Sequence, residues 1–431
     1  MKLIQDAAPS APAKENACAQ NPAPIPLPSH APAPPAPLNR RTILLFAVAS
    51  GLAVANAYFA HPLLDVMADD LGLSRTVAGL IVGATQLGYG LGLLLLVPLG
   101  DLLDRRKLIV GQSLLSVLAL ASVGFSQSAA MLLGAMAAVG LLAVVTQALV
   151  AYAASLAQPS ERGHVVGIVT SGIVIGILLA RTVAGALTDL SGWRTVYFVS
   201  ALSTLVIAFL LWKLLPQQGR STAGLSYGRL IASLVTLIVA EPVLLIRGII
   251  AMLIFASITT LLAPLVLPLG APPFSLSHTQ IGLFGLAGVA GALGATRAGR
   301  WTDRGYGQRT TGIALGLMLL SWLMIAQLHQ SILWLVAGVL IIDFGLQAVH
   351  VTNQAMIYRV RPEAQNRLTA AYMVFYSIGS AAGSSLSTVA YAHAGWAGVC
   401  VQGAAISAIA LLFWLATLKA TPAGATMRLR P

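Results

Sequence analysis

From Thr42 onward the chain is a succession of apolar stretches separated by short polar turns. Each stretch is about 20 residues long, and at 1.5 Å of rise per residue a helix of that length crosses a hydrocarbon layer of roughly 30 Å. Twelve spans are predicted: 42–66, 75–99, 108–127, 130–154, 164–188, 194–214, 247–268, 279–298, 310–328, 331–352, 367–391 and 395–418. The 17 residues of 230–246 contain Glu241 and Pro242 and read instead as an amphipathic or interfacial segment. The expected fold class is all-α integral membrane, with 12 transmembrane helices.

Upstream of the spans, residues 7–38 hold 10 of the 22 prolines. Such a tract cannot sustain a helix or bury a core, so a disordered tail is expected, used for docking or dispensable. It does not read as a signal peptide, because its first basic residue is followed by no apolar run and no small-residue cleavage site. The expected organisation is a Pro/Ala-rich tail at 1–39, a six-helix bundle at 40–215, a linker at 216–246, a second six-helix bundle at 247–418 and a tail at 419–431.

Composition agrees with the pattern. Of 431 residues, 57% are apolar and 9% charged, against roughly 25% charged in soluble domains; a water-soluble globule is excluded. Two cysteines, Cys18 and Cys400, form neither a disulfide scaffold nor a zinc site. The net charge of +12 suggests a nucleic-acid binder until the charges are placed. With an even number of spans both termini share one side, and 22 of the 25 lysines and arginines fall there. Arg75 and Arg194 lie on the other side, and Arg181 lies inside a span. This bias assigns the termini and the even-numbered turns to the cytoplasm. The charge is then topological, and no nucleic-acid partner is expected.

The two sets of six spans repeat each other. Pro159 and Pro362 precede spans five and eleven, while Gly192-Trp193 and Gly395-Trp396 open spans six and twelve, both pairs 203 positions apart. Gly100, Asp104 and Arg105 correspond to Gly299, Asp303 and Arg304 at an offset of 199. Parallel repeats of this kind are a transporter architecture, with the substrate site between the halves near mid-membrane.

The turn Pro98-Leu-Gly-Asp-Leu-Leu-Asp-Arg-Arg-Lys107 resembles the signature loop of the major facilitator superfamily, GxxxDRxGRR in its usual form. The segment Gly299-Arg-Trp-Thr-Asp-Arg-Gly-Tyr-Gly-Gln-Arg309 resembles its C-terminal copy. The first copy departs from the pattern, since Arg106 follows Arg105 directly and the second glycine is absent. The resemblance extends from about Arg40 to Lys419 and implies two pseudo-symmetric six-helix bundles. Ala55-Asn-Ala-Tyr-Phe-Ala-His-Pro-Leu-Leu64 and Leu179-Ala-Arg-Thr-Val-Ala-Gly185 are similar to segments of the bacterial drug, sugar and nucleoside exporters of that superfamily.

Gly100 at a helix end suits a chain exit and the close approach of a neighbour. A carboxylate at Asp104 is favoured by a helix N-terminus, while Arg105, Arg106 and Lys107 hold the turn at an anionic leaflet. The resemblance implies that the motif gates the transporter: Asp104 bridges the halves and locks the outward-open state. The plainer reading is a set of stop-transfer charges.

Ionisable groups inside the spans cost roughly 2.5–3.5 kcal/mol each on insertion scales and need a partner or a wet cavity. Arg181 either holds an anionic substrate group, pairs with Asp65, or reaches the membrane surface. Asp343 is the acid well inside an apolar span of the second half and a candidate proton carrier, because burial disfavours a charged carboxylate; a helix-packing role is the alternative. The candidate coupling residues are Asp343, or Asp65 with Arg181, with His350 a further possibility at a span boundary. Asn56, Tyr58, His61, Gln86 and Gln147 are candidate cavity residues. Glycines at 163, 167, 172, 176 and 185 of span five, and at 282, 285, 288, 291 and 294 of span eight, permit close helix crossings.

The sequence has no GxxxxGK[ST] phosphate loop and no HExxH. A secondary transporter rather than an enzyme is expected, without cofactor or metal. It would be driven by a proton gradient, act as a monomer and move a small organic solute by alternating access, with export ahead of import and of a non-transporting sensor. Few acids in the cavity lean towards neutral or anionic solutes.

Overall fold

The structure is a computed structural model that describes residues 39–158, 161–216, 227–360 and 365–420. The proline-rich tail and the final tail therefore lie outside the described residues, as do the side chains of a few helical positions, Asp303 among them.

Helix α1 (Arg40–Ala55) begins at Asn39, whose side chain accepts a hydrogen bond from the Arg41 N–H at 3.1 Å. The regular helix gives way to turns over 56–60 and resumes through a 3-10 turn at His61–Leu63 into α2 (Leu64–Asp70). Pro62 sits at the start of that turn, where its missing N–H leaves no bond unmade. The first span is thus an interrupted helix. Spans two and three are α3 (Arg75–Leu95) and α4 (Arg105–Gly124), and span four is α5 (Ala129–Ala143) followed by α6 (Val145–Leu156). Spans five and six are α7 (Arg162–Ser191) and α8 (Trp193–Leu214).

The predicted interfacial segment is helix α9 (Tyr227–Ala240). Span seven combines α10 (Pro242–Leu262) with α11 (Val266–Gly270), and span eight α12 (His278–Gly282), a 3-10 stretch at Leu283–Ala287 and α13 (Gly288–Asp303). The second half ends with α14 (Gly307–Ile325), α15 (Ile332–Tyr358) and α16 (Gln365–Thr417), the last running through spans eleven and twelve with a break at Gly395. All twelve predicted spans coincide with helical segments. Nine continuous stretches among the described residues are long and apolar enough to cross a membrane by themselves. The difference arises because spans one and eight are interrupted and the last two run together.

The repeat has a backbone signature. Gly192 (φ 84°, ψ 160°) and Gly395 (φ 60°, ψ −151°) both occupy a region open essentially to glycine alone, and each turns the chain from one span into the next. The tryptophan that follows each of them is buried: Trp193 donates to Asp70 Oδ2 at 3.2 Å, and Trp396 donates to the Ile325 carbonyl at 3.1 Å.

The start of span seven differs from expectation. Pro242, rather than residue 247, opens α10, because proline is favoured in the first turn. Arg247, expected at the very start of span seven and counted with the basic residues of the cytoplasmic side, is therefore inside the helix and wholly buried. Its guanidinium donates to Thr311 Oγ1 at 3.1 Å and to Asn353 Oδ1 at 3.3 Å.

Candidate functional site

The two halves meet through close helix crossings. On α7 and α12, a Cβ added to Gly185 would lie 2.2 Å from the His278 carbonyl oxygen, and one added to Gly282 would lie 2.5 Å from that of Arg181. Glycine is required there because no larger residue leaves room for the other backbone. On α3 and α16, Gly79 and Gly83 pack against Thr388 and Ser385. These contacts gather towards the end of the bundle that carries the turns at Gly192 and Gly395, opposite the end where α1 begins and α16 finishes. That end is termed the far end below.

A polar and aromatic cluster lies deeper along the same seam. Tyr58, in the interruption of span one, shares a 2.7 Å hydrogen bond with Tyr376 of α16, hydroxyl to hydroxyl. Gln86 lies beside the Tyr376 hydroxyl, and Tyr89 and Phe255 present their edges or faces to the Tyr376 ring at 6.3 and 4.2 Å. Gln147 donates to Tyr89 at 3.4 Å and contacts Met373 Sδ at 3.7 Å, again joining the halves. His61 stacks on Tyr58 at 5.6 Å and, with Arg181, Leu262 and Phe284, lines a small pocket between the halves.

Arg181 places its guanidinium 6.0 Å from the centre of the Tyr58 ring. It interacts electrostatically with Asp343 of α15 across the seam. The room for Asp343 comes from span eight: a Cβ at Gly291 would fall 2.7 Å from Asp343 Oδ2. Arg181 Nε and Asp343 Oδ2 are both buried, and neither has a hydrogen-bond partner among the described residues. The arrangement can bind polar groups or protons: a cation and an acid, each with an atom left unbonded by the described residues, face one seam.

Other sequence candidates fall elsewhere. Asn56 is buried within the first half, accepting a hydrogen bond from Ser200. Asp65 meets His278 rather than Arg181, at 3.2 Å from each carboxylate oxygen to Nε2. His350 is held by Tyr372 at 3.0 Å and by the edge of Phe255.

In the signature turn, Asp104 caps α4 by accepting from the Lys107 N–H at 2.9 Å. Arg105 donates to the carbonyls of Gly100 and Ala151, both at 3.4 Å, and Arg106 to that of Trp212. These bonds stay within one half. The close approach expected at Gly100 is absent in this conformation, since a Cβ there or at Gly299 would meet neighbours only at 3.8 and 3.7 Å, an ordinary contact. Arg304 is exposed beyond α13, and the Asp303 side chain lies outside the described residues.

Sequence reasoning did not single out Tyr89, Phe255, Met373, Tyr376, Asp189 or His278. An aromatic or methionine in an apolar span looks the same whether it packs or lines a cavity, and a polar residue at a span end looks solvated.

The sequence profile of the Major Facilitator Superfamily matches residues 45–277 and again 265–428. An uncharacterized transporter, YgaY, of Escherichia coli O157:H7 is 49% identical over 377 residues, covering 88% of this chain and 95% of the relative. The inner membrane transport protein YnfM of Escherichia coli K12 is 27% identical over 384 residues, covering 86% and 89%. Among solved structures, a bacterial homologue of the human lysosomal transporter Spinster, inward-facing and occupied, aligns with a TM-score of 0.71 at 14% identity, over 88% of this chain and 97% of that one. The nucleoside transporter NupG aligns with a TM-score of 0.70 at 13% identity, over 88% and 100%.

Proposed function

The chain belongs to the major facilitator superfamily, a multi-pass membrane transporter family, and from that premise we propose that it exports a small organic solute across a bacterial inner membrane by alternating access, against entering protons. The bias of basic residues supports a cytoplasmic placement of both termini, and the 27% identity to an inner membrane transport protein supports the location. On that orientation the far end faces outward. Contacts between the halves gathered there support an outward-closed, inward-facing form. Asp104, accepting from the Lys107 N–H of its own half, fits that form, because a lock on the outward-open state is released in it.

One observation carries the coupling proposal: Arg181 and Asp343, on opposite halves, each hold a buried polar atom with no partner among the described residues. Asp343 takes the proton, and Arg181 sets the field in which that proton is bound. A charged pair split across the seam changes its interaction when the halves rock, and this links protonation to conformation. Arg181, on the wall of the His61 pocket, also supports a neutral or anionic solute over a lipophilic cation.

The test is proton flux in proteoliposomes screened against drugs, sugars and nucleosides. At least one solute class is expected to elicit flux in the wild type, and Asp343→Asn to abolish it while solute binding persists. Full solute-dependent proton release by Asp343→Asn would remove Asp343 from the coupling. Absence of flux with every class would favour a non-transporting protein of the same fold.

A further inference from the structure

We propose that His278, Asp65 and Asp189 form a proton-binding site at the outer seam, one that exists only while the outer end is closed and through which external protons hold it closed. The inference rests on the alternating-access reading for the movement of the halves, and is independent of Asp343.

The geometry is a bridge. His278 begins α12 in the second half, and its ring faces two carboxylates of the first half: Nε2 lies 3.2 Å from both oxygens of Asp65 on α2, and Nδ1 lies 3.0 Å from Asp189 Oδ1 on α7. A neutral imidazole has one N–H and can donate to only one carboxylate, leaving its other nitrogen lone pair against an anion. The imidazolium donates to both. The contact as built therefore asks for the protonated ring. Asp189 is fixed in place by three further bonds, from the His278 N–H at 3.2 Å, the Thr279 N–H at 2.9 Å and the Thr279 hydroxyl at 2.6 Å. Asp65 lies close to Gly270.

Among the described residues, no other charged group of the packed elements enters the bridge. On α2, Asp69 and Asp70 lie a turn further on, Asp70 paired with Arg194 of α8. On α7, Arg181 lies two turns deeper and meets α12 through its carbonyl. His61, of the 3-10 turn after α1, points its Nδ1 at the Tyr58 carbonyl at 3.2 Å. Neither α11 nor the segment 271–277 carries a titratable side chain. The side chains of His278 and Asp65 are each 20% exposed, so the ring is not sealed from its surroundings. The hydrogen bond to Asp65, and then its charge and those of Asp189, raise the histidine above its ordinary 6.5 against the opposing effect of burial.

The direction follows from linkage. A group whose pKa is raised in one state stabilises that state fully below its ordinary value, and the contribution is lost as pH rises through the raised value. External acid closes the seam, with one proton passing from outside water to the ring. External alkali favours opening, and the same proton returns outward.

Two measurements separate this site from the reading beneath it. Spin labels at Gln127 and Gln330, exposed at the outer ends of the two halves, are read by electron double resonance in nanodiscs, on a background with Cys18→Ser and Cys400→Ser. The wild type is expected to shift from a single short distance at pH 5 to a mixture with a longer one at pH 9, and His278→Gln to lose that shift. Separately, the ring-nitrogen resonances of His278 are titrated by NMR, with a midpoint above 6.5 expected in the wild type and a fall towards 6.5 in Asp65→Asn. An unchanged pH response in His278→Gln, or a midpoint indifferent to Asp65→Asn, overturns the proton site and leaves alternating access intact. A correct titration with no distance change under any condition supports the site and overturns the movement of the halves.

Discussion

The hydroxyls of Tyr58 and Tyr376 lie 2.7 Å apart although 318 positions separate them in sequence, and they tie the first half of the molecule to the second at the depth of the cavity. An intramolecular hydrogen bond contributes about 0.5–1.5 kcal/mol net. Tyr58→Phe, or Tyr376→Phe, is therefore expected to reduce the closed-to-open ratio of the far end about two- to twelve-fold at 25 °C, read from distances between labels on the two halves. In the double variant the losses should not add, because both singles remove one bond. Fully additive losses would show that the hydroxyls act separately.

Gly185 tests the crossing of spans five and eight. Gly185→Ala places a Cβ 2.2 Å from the His278 carbonyl oxygen, whereas Gly167→Ala on the same helix meets nothing within 4 Å. Overpacking of this kind costs about 1–3 kcal/mol, and here it falls on the state in which the far end is closed. Gly185→Ala is expected to slow transport and populate the outward-open form, and Gly167→Ala to behave as wild type. Equal behaviour of the two variants in a vesicle transport assay would contradict this.

Asp104 allows a cap to be separated from a charge. Its carboxylate caps α4 through the Lys107 N–H, a role that asparagine fills well and alanine does not, at a loss of about 0.5–2 kcal/mol. Asp104→Asn should keep the wild-type melting temperature, and Asp104→Ala should lower it. If the charge also gates, Asp104→Asn loses transport at unchanged stability. Wild-type transport by Asp104→Asn would leave the residue a cap and no more.

The spans were legible in the sequence because the bilayer imposes a length and a polarity on any helix that crosses it, and both are local properties of the chain. The same holds for the repeat: Gly192 and Gly395 stand where the backbone has a conformation open to little else, so the constraint is written into the residue itself. Arg181 and Asp343 were legible for a related reason, since a charge inside an apolar span stands out wherever its partner lies. Arg247 was not, because five residues of uncertainty at a helix start decide between a loop charge and a buried one.

Pairing across the seam was decided by the tertiary structure alone. Asp65, within reach of two readings from sequence, went to His278 because α2 and α12 meet at the far end while Arg181 lies deeper on α7. Tyr376 entered the site because α16 crosses α3 through glycines that let the helices approach. Hydropathy along one helix states that a residue is buried, and carries no information about which helix buries it. Sequence by itself determined twelve spans, their two-fold repetition and the few charges they contain. Which of those charges face each other is set by the packing of helices far apart in the chain, where backbone clearance rather than local pattern selects the neighbours.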